Sequence, residues 1–210
     1  MRVIAFVTQK GGTGKSSLAV SLAVAAQEGG AKTYLLDLDQ QGTAKSWFER
    51  REAETPEVAA IEANRVPAAL ATLRKQGIGL VIIDTPGVDS PATVAAMQAA
   101  DLCAIPARPS IADIEATRPT VQALMKLGRP FCFVLNQVPA GRSGRASDAF
   151  RVLALSGAVS AVTLATRTDH VDALAQGLGV TERDPTGKAA TEIRELLAWL
   201  TQRMDGKTNG

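Results

Sequence analysis

The stretch Gln9-Lys10-Gly11-Gly12-Thr13-Gly14-Lys15-Ser16-Ser17 decides how this 210-residue chain is read. It follows an apolar run, Val3–Val7, and opens a helical pattern that continues to about Glu28. A glycine-rich turn between a strand and a helix is where backbone N–H groups converge on a phosphate. Gly11, Gly12 and Gly14 let the backbone curl, with Thr13 and Ser17 completing the cradle, and the helix N-terminus adds its positive field. From this position Lys15 reaches the β- and γ-phosphates of a nucleotide, and the Ser16 hydroxyl reaches magnesium.

Outward from the loop, short apolar runs alternate with helical patterns. The runs are Val3–Val7, Thr33–Leu36, Leu80–Ile83, Leu102–Ile105, Phe131–Leu135 and Val159–Leu164. They show little two-fold alternation, as strands covered on both faces of a parallel sheet do. Helices are predicted over Lys15–Glu28, Pro67–Lys75, Ala92–Ala99, Asp113–Leu127, Ala146–Leu155, His170–Gln176 and Ala189–Met204. The fold class is α/β: a three-layer, doubly wound, mostly parallel β-sheet with helices on both faces, the P-loop NTPase arrangement. One domain is expected over residues 1–210, with Val58–Ile61 as a short edge strand and 205–210 as a flexible tail.

Composition excludes other classes. At 46% hydrophobic and 21% charged residues, the chain is too apolar for disorder. A single histidine, His170, excludes a zinc enzyme built on clustered imidazoles; it reads as an exposed or capping residue. Cys103 and Cys132 lack metal-ligand spacing and read as small core residues of a reduced, cytoplasmic protein. With 23 Lys+Arg against 21 Asp+Glu, the charge balance permits a nucleic-acid surface without requiring one. No signal peptide is visible, and no stretch reaches the roughly 20 apolar residues of a membrane span.

Three acidic positions accompany the loop. Asp37 and Asp39, at i and i+2 at the end of the second run, point to one face of a strand and reach the ligand crevice. Leu80-Val81-Ile82-Ile83-Asp84 ends an apolar run in a carboxylate able to hold Mg²⁺ through a water. The turn Thr85-Pro86-Gly87 follows it and can sense a γ-phosphate. Asn136 closes a late strand, where its amide could pair with an adenine edge or cap a turn.

Lys10 stands where the general Walker pattern has a glycine. Lys-Gly-Gly-x-Gly-Lys-Ser resembles the deviant Walker A loop of the ParA/MinD family of partitioning and positioning ATPases. Residues 2 to about 110 carry the resemblance, which points to short plasmid-type ParA proteins that lack the N-terminal DNA-binding domain of larger members. It implies ATP and Mg²⁺ as ligands, a homodimer in the ATP state, and slow intrinsic hydrolysis. By the same resemblance Lys10 contacts the nucleotide of the opposite subunit and Asp39 helps hold the attacking water. Asp37 supports the magnesium shell beside Ser16 and Asp84, Asn136 meets the base, and the segment with Thr166 and Arg167 closes over it. Two departures stand out: Gln40 and Ala165 where relatives usually have proline.

The resemblance further implies non-specific DNA binding through basic residues, with Arg167, Lys188, Arg194 and Arg203 as candidates. Arg142 and Arg145 form a second basic loop. Ordinary solvated charge would look the same. A ParB-like or cargo adaptor protein is the expected partner, with a cytoplasmic, nucleoid-associated location. No membrane partner is expected, because the Ile193, Leu196, Leu197, Leu200 stripe of the last helix is spaced for packing on a sheet. The alternatives are a dethiobiotin-synthetase-like enzyme phosphorylating a small substrate and a MinD-like division-site ATPase.

Overall fold

The computed structural model describes residues 1–139 and 144–206. In chain order the strands are β1 (Arg2–Phe6), β2 (Thr33–Asp37), β3 (Glu57–Ala60), β4 (Leu80–Asp84), β5 (Leu102–Ala107), β6 (Phe131–Leu135) and β7 (Ala158–Val159). The α-helices are α1 (Lys15–Glu28), α2 (Thr43–Glu49), α3 (Val66–Lys75), α4 (Pro91–Ala99), α5 (Ile111–Glu115), α6 (Arg118–Lys126), α7 (Gly144–Ala154), α8 (Asp169–Ala175), α9 (Val180–Arg183) and α10 (Lys188–Met204). A 3₁₀ turn, Ala63–Arg65, leads into α3.

The strands form one sheet in the order β3-β2-β4-β1-β5-β6-β7, and every pairing is parallel. The near-continuous apolar runs have their cause in two cores, one on each face. Ile4, Phe6, Leu35 and Ile82 point into the layer shared with α1 and α10, while Val3, Ala5, Leu36 and Ile83 point into the layer beneath α3 and α4. Residues of the central strands β1, β4 and β5, Arg2 apart, are thus buried whichever way they face. The first and second strands in the chain are not neighbours: β4 lies between them, and β5 flanks β1 on the other side. The crevice at this reversal, beyond the carboxyl ends of the strands, is where such sheets take ligands.

Two expected elements take a different form, and α2 and α9 have no counterpart in the sequence reading. The run Val159–Leu164 pairs only at Ala158–Val159, then resumes as an isolated bridge between Val138 and Ala165. The ladder bonds Ser160 N→Phe133 O and Leu164 N→Leu135 O remain, but residues 161–163 bulge out between them around a turn in which Ser160 Oγ accepts from Val162 N. The predicted helix Asp113–Leu127 is two helices. Thr117 turns its hydroxyl onto the Ile114 carbonyl, and Pro119, which has no N–H to donate, sits in the first turn of α6. The edge strand expected at Val58–Ile61 is β3, one residue earlier. Of the expected tail, Asp205 pairs with Arg2, and residues 207–210 lie outside the described set.

Candidate nucleotide site

The glycine loop joins β1 to α1, and Gly12 and Gly14 adopt φ of 74° and 89°, which explains the need for glycine there. The cleft over it, about 440 Å³, is lined by Gly11, Gly12, Gly14, Lys15, Ser16, Ser17, Asp39, Gln41, Thr43, Gly87 and Val88. Gly87 belongs to the turn after β4, and a Cβ there would lie 2.9 Å from the backbone of Gly11. Thr85 in the same turn is fully buried and donates to the Phe6 carbonyl at 2.7 Å. The β4 turn and the phosphate loop are therefore packed backbone to backbone. Thr13 is buried below the loop.

Lys15 lies inside the cleft, 7% exposed, with Nζ 3.4 Å from the Lys10 carbonyl. Burial lowers its pKa, against the pull of the Asp84 and Asp39 carboxylates. Asp37 and Asp84 are register partners across β2 and β4, on the α1 side of the sheet. Their situations differ. Asp37 spends both oxygens on the segment that follows, accepting from Asp39 N in the loop and from Lys45 N in α2 at 3.0 Å each. Asp84 is wholly buried and neither carboxylate oxygen has a partner. Burial pushes its pKa up to about 7; the Ser16 hydroxyl and Lys15 oppose this, and Asp37 and Asp39 add to it.

An orphaned buried carboxylate beside a serine hydroxyl suits a hydrated Mg²⁺, which keeps several waters and takes few protein ligands. The residues present fit that ion: Ser16 as ligand and Asp84 through water. Asp37 stands one strand over, already engaged by the backbone. Asp39 sits in the loop after β2, its Oδ1 accepting from Gln41 N at 3.0 Å, and lines the cleft directly. A second cleft of about 820 Å³ opens beside it, sharing Asp39, Gln41, Gly87 and Val88.

Lys10 is not turned into its own cleft. Its ammonium pairs with Asp113 at 3.0 Å, and Asp113 also accepts from Arg108 Nε at 3.0 Å and from the Ser110 hydroxyl. Burial alone would raise the Asp113 pKa, but Ser110, Lys10 and Arg108 hold it below the usual carboxylate range. Sequence reasoning missed this acceptor. A serine N-cap followed three residues later by an acid is an ordinary helix start, and nothing local ties it to position 10.

The residues that the resemblance assigns to the base engage protein groups in the structure. Asn136 is buried, and its Nδ2 donates to the Thr13 carbonyl at 2.8 Å, tying the end of β6 to the phosphate loop. Thr166 is exposed and bonded through its N–H to Val138 O at 2.8 Å. Arg167 is held by Glu192 at 2.6 Å, which raises its pKa, and Glu192 also accepts from Ala165 N at 3.2 Å. Its guanidinium therefore fixes this segment to α10. Among the other basic candidates, Lys188, Arg194 and Arg145 are exposed, Arg194 donating to the Pro185 carbonyl, while Arg203 lies over Trp199. Arg142 lies outside the described residues. His170 departs from expectation: it neither caps nor reaches solvent through its ring nitrogens, both of which are buried without a partner, and burial lowers its pKa. Cys103 and Cys132 are buried free thiols, as expected. Ile193, Leu196 and Leu200 pack fully buried against the sheet, and no helix among the described residues is long and apolar enough to cross a membrane.

A phosphate loop at the switch point of an all-parallel sheet, with a buried acid on the neighbouring strand, defines a P-loop nucleotide-binding domain. Residues 4–181 match the family model of the CobQ/CobB/MinD/ParA nucleotide-binding domain, and the chain belongs to that family. It is 38% identical over 157 residues, 72% of this chain and 70% of the relative, to the maintenance of carboxysome distribution protein A of Gloeobacter kilaueensis. It is 32% identical over 135 residues to the chromosome-partitioning ATPase Soj of Thermus thermophilus, an alignment that spans 50% of this chain and 54% of Soj. Among solved structures, apo McdA of Cyanothece superposes with a TM-score of 0.79 over 95% of this chain and 99% of that one, at 15% identity. MinD of Pyrococcus horikoshii in complex with Mg-ADP gives 0.77 over 100% and 99%, at 19% identity. At those identities the likeness is one of fold.

Proposed function

We propose that this chain is an ATP-dependent positioning or partition switch. It binds Mg·ATP, pairs with a second copy across the phosphate loops, holds DNA through phosphate contacts, and hydrolyses ATP to end that state. The observation that carries the reading is the division between two lysines one turn of loop apart. Lys15 fills the cleft, whereas Lys10 faces out of it on Asp113, which supports a role for Lys10 on a phosphate other than its own. The relatives' names, for carboxysome distribution and chromosome partitioning, agree with a cargo-positioning role.

In this reading the loop N–H groups and Lys15 bind the phosphates, and Ser16 and Asp84 hold the magnesium, whose charge offsets that of the phosphoryl oxygens. Asp37 shapes the loop that presents Asp39, and Asp39 orients the attacking water. Lys10 of a second copy adds the last cation, so that hydrolysis depends on dimerisation. Lys188 and Arg194, exposed on α10, are the cations assigned to DNA, where affinity falls steeply with salt. The cargo is reached through an adaptor protein.

Titration calorimetry with Mg·ATP tests the binding step: Lys15→Ala abolishes tight binding, and wild-type affinity in that variant would remove the assignment. One observation favours a second reading. The cleft of about 820 Å³ beside Asp39 has room for a small phosphoryl acceptor, as a dethiobiotin-synthetase-like enzyme requires. Phosphate release from ATP with no added acceptor separates the two, since the switch hydrolyses and the ligase does not.

A further inference from the structure

A loop whose N–H groups converge on a ligand turns its carbonyls outward, and those carbonyls need partners. Here two amides from the end of β6 supply them. Asn136 holds the Thr13 carbonyl, and Gln137 Nε2 donates to the Gly12 carbonyl at 3.1 Å. Gln137 does so from φ 52°, the one non-glycine residue with positive φ among the described residues. A side chain is held in that region only when its surroundings compensate for the strain. The fit is close: a Cβ on Gly14 would collide with the Asn136 amide. On its far side the segment is pinned again, with Val138 N donating to Leu164 O at 2.9 Å and Val138 O accepting from Thr166 N at 2.8 Å.

We infer that Gln137 is a positioning residue of the phosphate site. By holding the Gly12 carbonyl outward it fixes the Gly12–Thr13 peptide with its N–H toward the phosphates. It also locks the loop to the strand end that carries Asn136. The inference rests on the nucleotide-binding reading above and adds a residue that no loop motif contains. Because the amide acts on the cradle and not on the base, its loss weakens every nucleoside triphosphate alike.

Two substitutions test this. Gln137→Asn keeps an amide and tolerates positive φ, but is one methylene too short to reach Gly12. Gln137→Glu sets a carboxylate against the carbonyl and the phosphates. Dissociation constants for Mg·ATP and Mg·ITP, which differ only at the base, are measured by competition, together with the melting temperature of the ligand-free protein. Gln137→Asn is expected to weaken both nucleotides by roughly three- to tenfold, the range for one neutral hydrogen bond, with the ATP-to-ITP ratio and the melting temperature unchanged. Gln137→Glu weakens both further. Unchanged affinity, a loss confined to ATP, or a loss that follows a lowered melting temperature would overturn the inference. Wild-type protein that ignores Mg·ATP would overturn the reading beneath it; wild-type binding with unaffected variants overturns only the role of Gln137.

Discussion

Asp84 shows how one residue can oppose stability and serve a site. Burial of its carboxylate disfavours the charged form and raises the pKa to about 7, although the Ser16 hydroxyl and Lys15 pull the other way. The unfolded chain carries an ordinary carboxylate, near pH 4. Because the folded pKa is the higher one, the ligand-free fold loses stability as pH climbs from about 4 to about 7, and levels off above that. Asp84→Asn removes this slope. The variant is expected to be more stable than wild type by roughly 1–3 kcal/mol at pH 8 and nearly equal to it at pH 4. Urea melts of both proteins at the two pH values check this. A variant that is less stable at pH 8 would show that the carboxylate has a partner in solution. The same change is expected to remove Mg²⁺-dependent turnover.

At the scale of elements, α2 is fastened to α9, in the same core layer, by one buried arginine. Arg51 follows the helix, stacks at 5.0 Å on the fully buried Trp47, and makes a two-pronged pair with Glu182 of α9 at 2.5 and 2.8 Å. It also donates to the carbonyls of Thr55 and Gly177, and Trp47 Nε1 donates to Leu178 O at 3.1 Å. Burial alone would raise the Glu182 pKa, but Arg51 holds it low. Arg51→Ala should cost about 2–3 kcal/mol at neutral pH, and Arg51→Lys should recover little, because an ammonium cannot fork. Glu182 titrates below its unfolded value, so the pair's contribution is present above the usual carboxylate range and fades as pH falls. The wild-type-to-alanine gap in denaturation midpoint should therefore narrow between pH 7 and pH 3. A constant gap would assign the loss to packing on Trp47 and to the hydrogen bonds to the Thr55 and Gly177 carbonyls.

That network also marks what the sequence could not convey. The strands β1, β2, β4, β5 and β6 were legible because continuous Val/Ile/Leu/Phe runs are what two-sided burial demands. The helix α2 was not, since its seven residues bury only Ala44 and Trp47 and show no long apolar stripe. β7 was overread for the opposite reason: the apolar run continues to Leu164, but Ser160 turns the chain within it. At the site, the glycine loop, Lys15 and Ser16 are legible from their spacing within one segment, and Asp84 from its place at the end of an apolar run. Asp113, Glu192 and Gln137 act on residues 103, 25 and 125 positions away, and only the folded sheet brings those pairs together.

Over the whole molecule, the sheet places the phosphate loop, the Asp39 loop and the β4 turn along one edge, with Lys10 facing outward beside them. In the proposed switch, a complete site takes Asp39 from one copy and Lys10 from another. A two-fold dimer provides two such sites, each using complementary residues of both copies. Lys10→Ala and Asp39→Ala should each be nearly inactive alone, because every site in either homodimer lacks a required group. Mixed in equal amounts before ATP is added, half of the dimers combine the two variants, and each of those holds one intact site. The mixture should therefore recover about a quarter of wild-type phosphate release, as random pairing of two chains gives. No activity above the sum of the separate variants, or full turnover by Lys10→Ala alone as a monomer in light scattering, would contradict the shared site.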